Sequence, residues 1–474
     1  MNEKIMGIDV GTTGCKTTIF DLSGNLISSA YTEYPLYTSP DKGYAEQNPE
    51  DWWTAVKKTM TLALLRGNIS PSEIIGIGIT GQSTSIILLD STGKPIRPSI
   101  LYLDSRGEKY IPQLSELVGP LNFVEVKVYT NLQWLRENEE NTFKKIDKVL
   151  DVKEFIAYKL TNEVTFDSFA IAPERVKLLN EKFGIPDSFF GAFHTYDKPV
   201  GKVSQDVAKE VLVPEGVSVV VGPWDGMCNV IGSGIIEDGI LMDVAGTTEI
   251  VAMTTKEKTA LSTHKHLIGD RWLIYTSTPL AISYTWFKNI LTSFSGSFPE
   301  ALDPYSILNT LAMEAPPGSD GLIFVPTIQG DFMKPNLRGA YIGIGGNHTV
   351  KHMTRAILEG VAYHLKMTVE SIEGEGVPVK AIRVSGGGAK SRLWNQIKAD
   401  VLEKPIEVQA VVETGGLGAA MLTAVALEKY KSLLDATNSM VHIKETITPN
   451  KEKSKIYRKY YQRFVKHYEY LESQ

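Results

Sequence analysis

One short phrase occurs twice in this chain, near its start and just past its midpoint. Residues 9–13 read Asp-Val-Gly-Thr-Thr, and residues 243–248 read Asp-Val-Ala-Gly-Thr-Thr. In each copy an apolar run leads into Gly-Thr-Thr, and a second run of β-forming residues follows it. The pattern predicts two hairpins whose tight turns present glycine N–H groups and threonine hydroxyls to an anion.

The duplication also predicts how the chain is divided. At 474 residues, the chain exceeds what one hydrophobic core usually supports, so two domains are expected. Gly11 and Gly246 stand in equivalent turns about half a chain apart. We therefore expect two similar α/β halves, each a mixed sheet covered by helices, which face one ligand across a cleft.

Composition excludes several classes of partner. The net charge of −6 argues against nucleic acid, whose phosphates need a basic protein face. No apolar run approaches the ~18 residues of a membrane span, and the first strand begins too early for a signal peptide. We therefore expect a cytoplasmic protein with no membrane partner. Cys15 and Cys228 are expected to be small buried residues rather than nucleophiles or zinc ligands.

Local patterns predict the main elements. The first helix has the clearest start, with Asn48 as cap and Pro49 at its first position, and it should end at Gly67. The segment from about 110 to 215 is expected to be an insertion into the first half. The helix expected at 451–473 has one apolar side, which favours docking on the protein's own surface over binding a membrane.

Two familiar nucleotide motifs are excluded. Residues 76–81 fit the dinucleotide pattern GxGxxG, but these glycines lie within a predicted strand and no helix follows them. NAD is therefore rejected. Residues 11–16 resemble a P-loop, but Cys15 and not glycine precedes Lys16.

A nucleotide site without a P-loop remains. Residues 385–389, which include Gly387, Gly388 and Ala389, place small residues between a strand and a helix, where a nucleoside can approach the backbone. The small residues at 415–420 suggest a second unobstructed helix start near the same nucleoside. Asp9 ends its strand beside the first turn, where a carboxylate is well placed to hold Mg²⁺, directly or through water.

An acidic residue near the second hairpin is the candidate base. Asp225 follows an apolar strand in Gly-Pro-Trp-Asp-Gly, just before the second hairpin, so it can activate an acceptor hydroxyl; a turn-stabilising cap is the alternative. Asp104 and Arg106 lie at a strand end and offer an acceptor and a donor for hydroxyls. Gln82 and its neighbours Ser83 and Thr84 offer further hydrogen-bonding groups for hydroxyls.

Taken together, these residues resemble the FGGY carbohydrate kinases of the actin, Hsp70 and hexokinase superfamily. The most specific match is the C-terminal signature, formed by residues 339–344 and 352–359. Residues 385–391 are similar to the family's adenosine segment. The resemblance covers essentially the whole chain and implies two ribonuclease H-like (actin-like) domains with a cleft between them. The first, at 1–244, would bind the sugar and carry the catalytic base. The second, at 245–474, would bind the nucleotide, and its terminal helix can dock back on the first domain.

The resemblance also implies roles for single residues. Asp225 matches the catalytic base, Asp9 the metal-linked carboxylate, and Gln82, Asp104 and Arg106 the substrate segments. The residues matched to ATP are Gly11, Thr12, Thr13, Lys16, Gly246, Thr247, Gly387, Gly388 and Ala389.

This chain departs from the family pattern at three places. Asn131 replaces a lysine, Tyr102 replaces the usual tryptophan, and residues 81–85 replace Gly-Gln-Met-His-Gly. The implied activity is transfer of the γ-phosphate of ATP, with Mg²⁺, to a ketopentose such as xylulose; gluconate, glycerol or another polyol is the alternative. An ATP-driven binding module and a phosphatase are further alternatives, and a homodimer is the candidate assembly.

Overall fold

The computed structural model describes residues 3–246, 249–269, 271–295, 303–330 and 336–473. The chain forms two compact units. The first unit comprises Met1–Gly232 and Glu413–Met440, and the second comprises Ser233–Val412 and Val441–Gln474. The chain thus returns to the first unit at Glu413, which a single boundary at 244/245 does not describe.

The first unit is built on a six-stranded sheet. Its strands are β1 (Lys4–Val10), β2 (Gly14–Asp21), β3 (Leu26–Glu33), β4 (Ile74–Gly81), β5 (Gly201–Lys202) and β6 (Ser218–Trp224). They lie in the order β5-β6-β4-β1-β2-β3. The first three strands form an antiparallel meander, whereas β4 pairs parallel to both β1 and β6.

The second unit contains a seven-stranded sheet. Its strands are β7 (Ile240–Ala245), β8 (Glu249–Thr255), β9 (Ser262–Lys265), β10 (Trp272–Thr278), β11 (Ala381–Ser385), β12 (Ile406–Gln409) and β13 (Ile443–Ile447). Within its order β9-β10-β8-β7-β11-β12-β13, the run β12-β11-β7-β8-β10 repeats the connectivity of β6-β4-β1-β2-β3. The prediction of two similar α/β halves is therefore confirmed.

Helices cover both sheets. Those of seven or more residues are α1 (Pro49–Gly67), α2 (Ile111–Val118), α3 (Asn131–Asn138), α4 (Val152–Thr161), α5 (Pro173–Phe183), α6 (Gln205–Val211), α7 (Asp225–Gly232), α8 (Ile282–Ser295), α9 (Pro304–Met313), α10 (Val350–Gly374), α11 (Arg392–Leu402), α12 (Thr414–Ala426), α13 (Leu433–Met440) and α14 (Lys451–Glu472). The predicted start of α1 is confirmed, since the Asn48 side chain accepts a hydrogen bond from the Glu50 N–H at 3.1 Å.

Shorter strands form small separate sheets. These are Tyr37–Ser39 with Tyr44–Gln47 and Ser99–Ile100; Ile87–Leu89 with Lys148–Leu150; Thr165–Asp167 with Ala192–His194; and Ile323–Val325 with Ala340–Ile342. The inserted segment of the first unit has a hydrophobic core of its own, which includes Tyr129, Leu132 and Phe166. No helix among the described residues combines the length and the apolar character that crossing a membrane requires.

The glycines of residues 76–81 lie within β4, as predicted, and they serve packing. A Cβ at Gly78 would lie 2.4 Å from the Ala419 carbonyl oxygen on α12. Likewise, a Cβ at Gly7 on β1 would lie 2.3 Å from the Gly416 carbonyl oxygen. Because only glycine tolerates such approaches, α12 lies directly on the sheet.

The C-terminal part of the chain is divided between the two units. The helix start predicted at 415–420 lies in α12 of the first unit, where the small residues pack against β1, β4 and α7; its nearness to a nucleoside stays a prediction. The terminal helix α14 belongs to the second unit, and its docking on the first unit stays a prediction. It packs on α10 and α11 of the second unit, with Tyr457 and Phe464 in that unit's core.

Candidate active site

The first repeated phrase forms the turn between β1 and β2. The two strands pair from Lys4 opposite Asp21 to Val10 opposite Cys15, and the Gly11 N–H donates to the Gly14 carbonyl oxygen at 3.1 Å. Both glycines therefore shape a closed hairpin, as predicted. Thr13 is exposed at the turn, whereas Thr12 is half-buried and its hydroxyl is hydrogen-bonded within the first unit.

The second repeated phrase forms the equivalent hairpin of the second unit. Strands β7 and β8 pair from Leu241 opposite Met253 to Ala245 opposite Glu249. Gly246 is exposed in the turn that joins them. Thr247, also predicted to grip phosphate, lies outside the described residues.

A buried charge cluster supports the second hairpin. Lys398 of α11 forms ion pairs with Asp243 and, at 3.6 Å, with Glu249, and all three side chains are almost fully buried. Burial and the charge of Asp243 raise the pKa of Glu249 to about 8. This cluster could not be predicted from the sequence, because Lys398 is distant along the chain from both carboxylates.

Asp9 has the features of a ligand residue in the first unit. It lies at the end of β1, opposite Lys16 of β2, and its Oδ1 atom is buried without a hydrogen-bond partner. Burial raises the pKa of Asp9 to about 6, against the opposing effect of Lys16. Oxygen ligands of this kind suit Mg²⁺, which typically takes one or two carboxylates together with water and phosphate oxygens.

Asp225 begins α7 directly after β6. Its Oδ1 atom accepts a hydrogen bond from the Gly226 N–H at 2.7 Å. Burial and the charges of Asp9 and Asp151 raise the pKa of Asp225 to about 7, although the Gly226 bond opposes the shift. A carboxylate with such a pKa is suited to exchange a proton near neutral pH.

The start of α12 lies beside Asp9 and is linked through Asn229 to the backbone of Asp225. Thr414 donates to Asn229 Oδ1 at 2.6 Å, and Asn229 donates to the Asp225 carbonyl oxygen at 2.9 Å. A Cβ at Gly415 would lie only 2.9 Å from Asp9 Oδ2, so glycine permits this approach. Thr414 and Asn229 were not predicted from the sequence. Asn229 could have been found from its i+4 spacing to Asp225 on one helix.

Gln82 is almost fully buried and belongs to a hydrogen-bond network. Its Oε1 atom accepts from the Thr12 hydroxyl at 3.2 Å, and its Nε2 atom donates to Gln47 Oε1 at 3.0 Å. The structure therefore brings Gln82 to the first hairpin, as a support of Thr12. Direct contact with a sugar stays a prediction.

Asp104 and Arg106 bond mainly to one another. Asp104 accepts from Arg106 Nε at 2.8 Å, from Arg106 Nη2 at 2.6 Å and from the Ala45 N–H at 2.7 Å. The guanidinium also pairs with Glu46 and lies 3.9 Å from the Tyr44 ring centre. With both side chains almost fully buried, the predicted free acceptor and donor are engaged, and this pair shapes the segment beside Tyr102.

The predicted nucleoside turn follows β11, next to the second hairpin. Gly387 is exposed, and a Cβ there would meet only the Ala245 carbonyl oxygen, at 4.0 Å. A Cβ at Gly388 would lie 2.7 Å from Ala245 Cβ, so this glycine serves close packing. The Ala389 side chain packs in the core, which leaves only its backbone available to a ligand.

Comparisons with known proteins agree with this architecture. The N-terminal domain of the FGGY family of carbohydrate kinases matches residues 4–232, and the family's C-terminal domain matches residues 241–427. Together with the two sheets of equal connectivity, these matches assign the chain to the sugar kinase class of phosphotransferases. This chain belongs to the FGGY family of carbohydrate kinases, whose phosphate donor is ATP.

Individual relatives cover nearly the whole chain. A xylulose kinase of Staphylococcus epidermidis is 29% identical over 97% of this chain and 95% of its own length. A gluconokinase of Bacillus subtilis is 30% identical over 100% of this chain and 97% of its own length. Among solved structures, the xylulose kinase from Rhodospirillum rubrum has a TM-score of 0.81 and 25% identity, with 99% of each chain covered.

Proposed function

We propose that this enzyme transfers the γ-phosphate of ATP to a hydroxyl of a ketopentose such as xylulose. The observation that carries the proposal is the pair formed in the first unit by Asp225, with its pKa near 7, and Asp9, with its unpartnered oxygen. Gluconate is the second candidate substrate, since a gluconokinase matches this chain as well as the xylulose kinases do. We expect the enzyme to act in the cytoplasm, where ATP is supplied; a homodimer stays a prediction.

Each group of residues then has a defined task. Asp225 accepts the proton of the sugar hydroxyl as its oxygen attacks the γ-phosphorus. The turn residues Gly11 to Thr13, with Lys16, bind phosphate oxygens. Asp9 would hold Mg²⁺, which neutralises charge on the phosphates when bound.

The second unit would bind the rest of the nucleotide. Gly246 lies at the turn of the second hairpin and is proposed to bind phosphate there, as the sequence also predicts for Thr247, and the open space at Gly387 suits close approach of a nucleoside. Lys398 reduces the negative charge beneath this turn, because it neutralises one of the two buried carboxylates. Without Lys398, the charge of these two carboxylates would no longer be offset, and it would repel the phosphates.

The test is an assay of ADP release by the full-length enzyme with ATP, Mg²⁺ and a panel of compounds. The panel contains xylulose, other ketoses, gluconate and glycerol. The proposal predicts strong stimulation by one ketopentose. Stimulation by gluconate alone would favour the second candidate. ATP hydrolysis that no sugar accelerates would contradict kinase activity and point to a phosphatase or an ATP-driven binding module.

A further inference from the structure

A directed series of hydrogen bonds begins at the buried Trp52 indole. Its Nε1–H donates to Gln47 Oε1 at 3.2 Å. The Gln47 Nε2 atom donates to the carbonyl oxygens of Thr12, at 2.8 Å, and Pro35, at 3.1 Å. Because an indole N–H only donates and carbonyl oxygens only accept, these three bonds fix the orientation of the Gln47 amide.

The orientation of Gln47 determines that of Gln82. Gln47 Oε1 can only accept, so the Gln82 atom that lies 3.0 Å from it is the amide nitrogen. Gln82 Oε1 therefore faces the Thr12 hydroxyl, at 3.2 Å. Since this oxygen also only accepts, the single hydroxyl proton of Thr12 is committed to Gln82.

Tyr102 ends the series. Its hydroxyl lies 3.3 Å from Thr12 Oγ1, and because the Thr12 proton points to Gln82, Tyr102 must be the donor. The Tyr102 oxygen then has only lone pairs left for any further partner. Tyr102 is half-buried, so part of its side chain is open to a small molecule.

The charge of the candidate base also acts on Tyr102. Burial raises the pKa of the Tyr102 hydroxyl, the bond to Thr12 lowers it, and the charge of Asp225 raises it again. The phenol oxygen is thus within electrostatic range of Asp225 and in contact with the first phosphate turn. A sugar whose reacting hydroxyl faces Asp225 would bring its neighbouring carbons towards Tyr102.

We propose that Tyr102 determines substrate specificity by accepting a hydrogen bond from a non-reacting hydroxyl of the sugar. This inference rests on the proposed kinase function. A carbonyl or carboxylate oxygen at that position would meet lone pairs only, and it could gain a donor only by breaking the bond between Tyr102 and Thr12. The site therefore selects substrates with a hydroxyl donor at one carbon near the reacting end.

The test compares the wild-type enzyme with Tyr102→Phe, which keeps the ring and removes the hydroxyl. The kcat/KM is measured with the preferred sugar and with its monodeoxy and deoxyfluoro analogues at each non-reacting carbon. We expect Tyr102→Phe to lose roughly tenfold in kcat/KM with the parent sugar, the usual cost of one hydrogen bond. For the wild-type enzyme, kcat/KM should fall by a similar factor when the parent sugar is replaced by the analogue that lacks the contacted hydroxyl. For Tyr102→Phe, the same replacement should not lower kcat/KM any further.

The fluorinated analogue tests the direction of the bond. Fluorine does not donate, so replacing the contacted hydroxyl by fluorine should not restore wild-type kcat/KM. Tyr37→Phe, at an exposed tyrosine, is the matched control and should match wild type. Three results would each overturn the inference while leaving the kinase function intact. They are an unchanged kcat/KM in Tyr102→Phe, losses from the variant and from the deoxy analogues that add at every carbon, and a wild-type kcat/KM that the fluorinated analogue restores. A wild-type enzyme that no sugar stimulates would overturn both.

Discussion

Asp225 and Asp9 are linked by charge across the first unit. Burial of the Asp225 carboxyl group, followed by the charge of Asp9, raises the pKa of Asp225 to about 7. A general base works best when its pKa lies near the operating pH, because it is then both ionised and able to hold a proton. The charge of Asp9 therefore tunes the pKa of the candidate base, in addition to the Mg²⁺ binding proposed for this carboxylate.

The pH dependence of catalysis should follow this pKa. The base must be ionised, so kcat/KM should rise with pH through about 7 and level off above it. At pH 6, about a tenth of the enzyme would carry ionised Asp225. The measurement is kcat/KM for the preferred sugar between pH 5 and 9, at saturating ATP. A profile that is flat from pH 5.5 to 8 would argue against Asp225 as the base.

The buried pair of Asp104 and Arg106 should be essential for stability. Asp104→Asn removes one of the two carboxylate charges, those of Asp104 and Glu46, that pair with the Arg106 guanidinium at 2.6 Å, and breaking a buried pair in this way costs about 3–5 kcal/mol. Denaturant unfolding of the full-length protein measures the loss. Glu140→Gln, in the exposed pair of Glu140 with Lys144, is the control and should change stability by less than about 1 kcal/mol. Equal effects of the two substitutions would contradict this interpretation.

Lys398→Met should make stability more sensitive to pH. In the wild type, Glu249 has a folded-state pKa of about 8, above its ordinary value of 4.5. Its protonated form therefore stabilises the folded state at low pH, and this stabilisation is lost as the pH rises from 4.5 through about 8. Removing Lys398 leaves Asp243 and Glu249 buried without a counter-charge and enlarges this loss. Melting temperatures should therefore differ more between variant and wild type at pH 8.5 than at pH 5.5. A constant difference would show that the lysine contributes packing alone.

Sequence patterns predicted the features that depend on neighbours in the chain. Both hairpins, the capped start of α1 and the strand position of residues 76–81 follow from local alternation and turn residues. The role of residues 415–420 did not, because small residues suit a ligand site and a close helix contact equally well. Long-range contacts, such as that of Gly78 with Ala419, decide between the two.

The site was predictable to a similar extent. The position of Asp225 just before the second hairpin indicated a candidate base, and in the structure the charge of Asp9 raises its pKa; its catalytic role stays a prediction. The engagement of Asp104 with Arg106 was not predictable, since a two-residue spacing in a loop does not show where either side chain points. Glu46 and Tyr44, which complete that arrangement, lie far earlier in the chain.

Glycine substitutions test the packing of α12. A Cβ at Gly418 would lie 2.0 Å from the Cys228 carbonyl oxygen, so Gly418→Ala must displace backbone. We expect a loss of about 1–3 kcal/mol in the free energy of unfolding. At Gly374, which ends α10, nothing lies within 4 Å of an added Cβ, so Gly374→Ala should be neutral or stabilise by up to about 1 kcal/mol. Effects of the same sign and size would contradict the close contact between α12 and α7.

The most direct test of the account is Asp225→Asn in the full-length enzyme. Binding of a non-hydrolysable ATP analogue is measured by calorimetry, and turnover is measured with the sugar that best stimulates ADP release. Asparagine keeps the size of the side chain but cannot accept the hydroxyl proton. The account predicts unchanged affinity for the analogue and a kcat lower by roughly two to four orders of magnitude. A variant that turns over the sugar at the wild-type rate would contradict the central claim that Asp225 is the catalytic base.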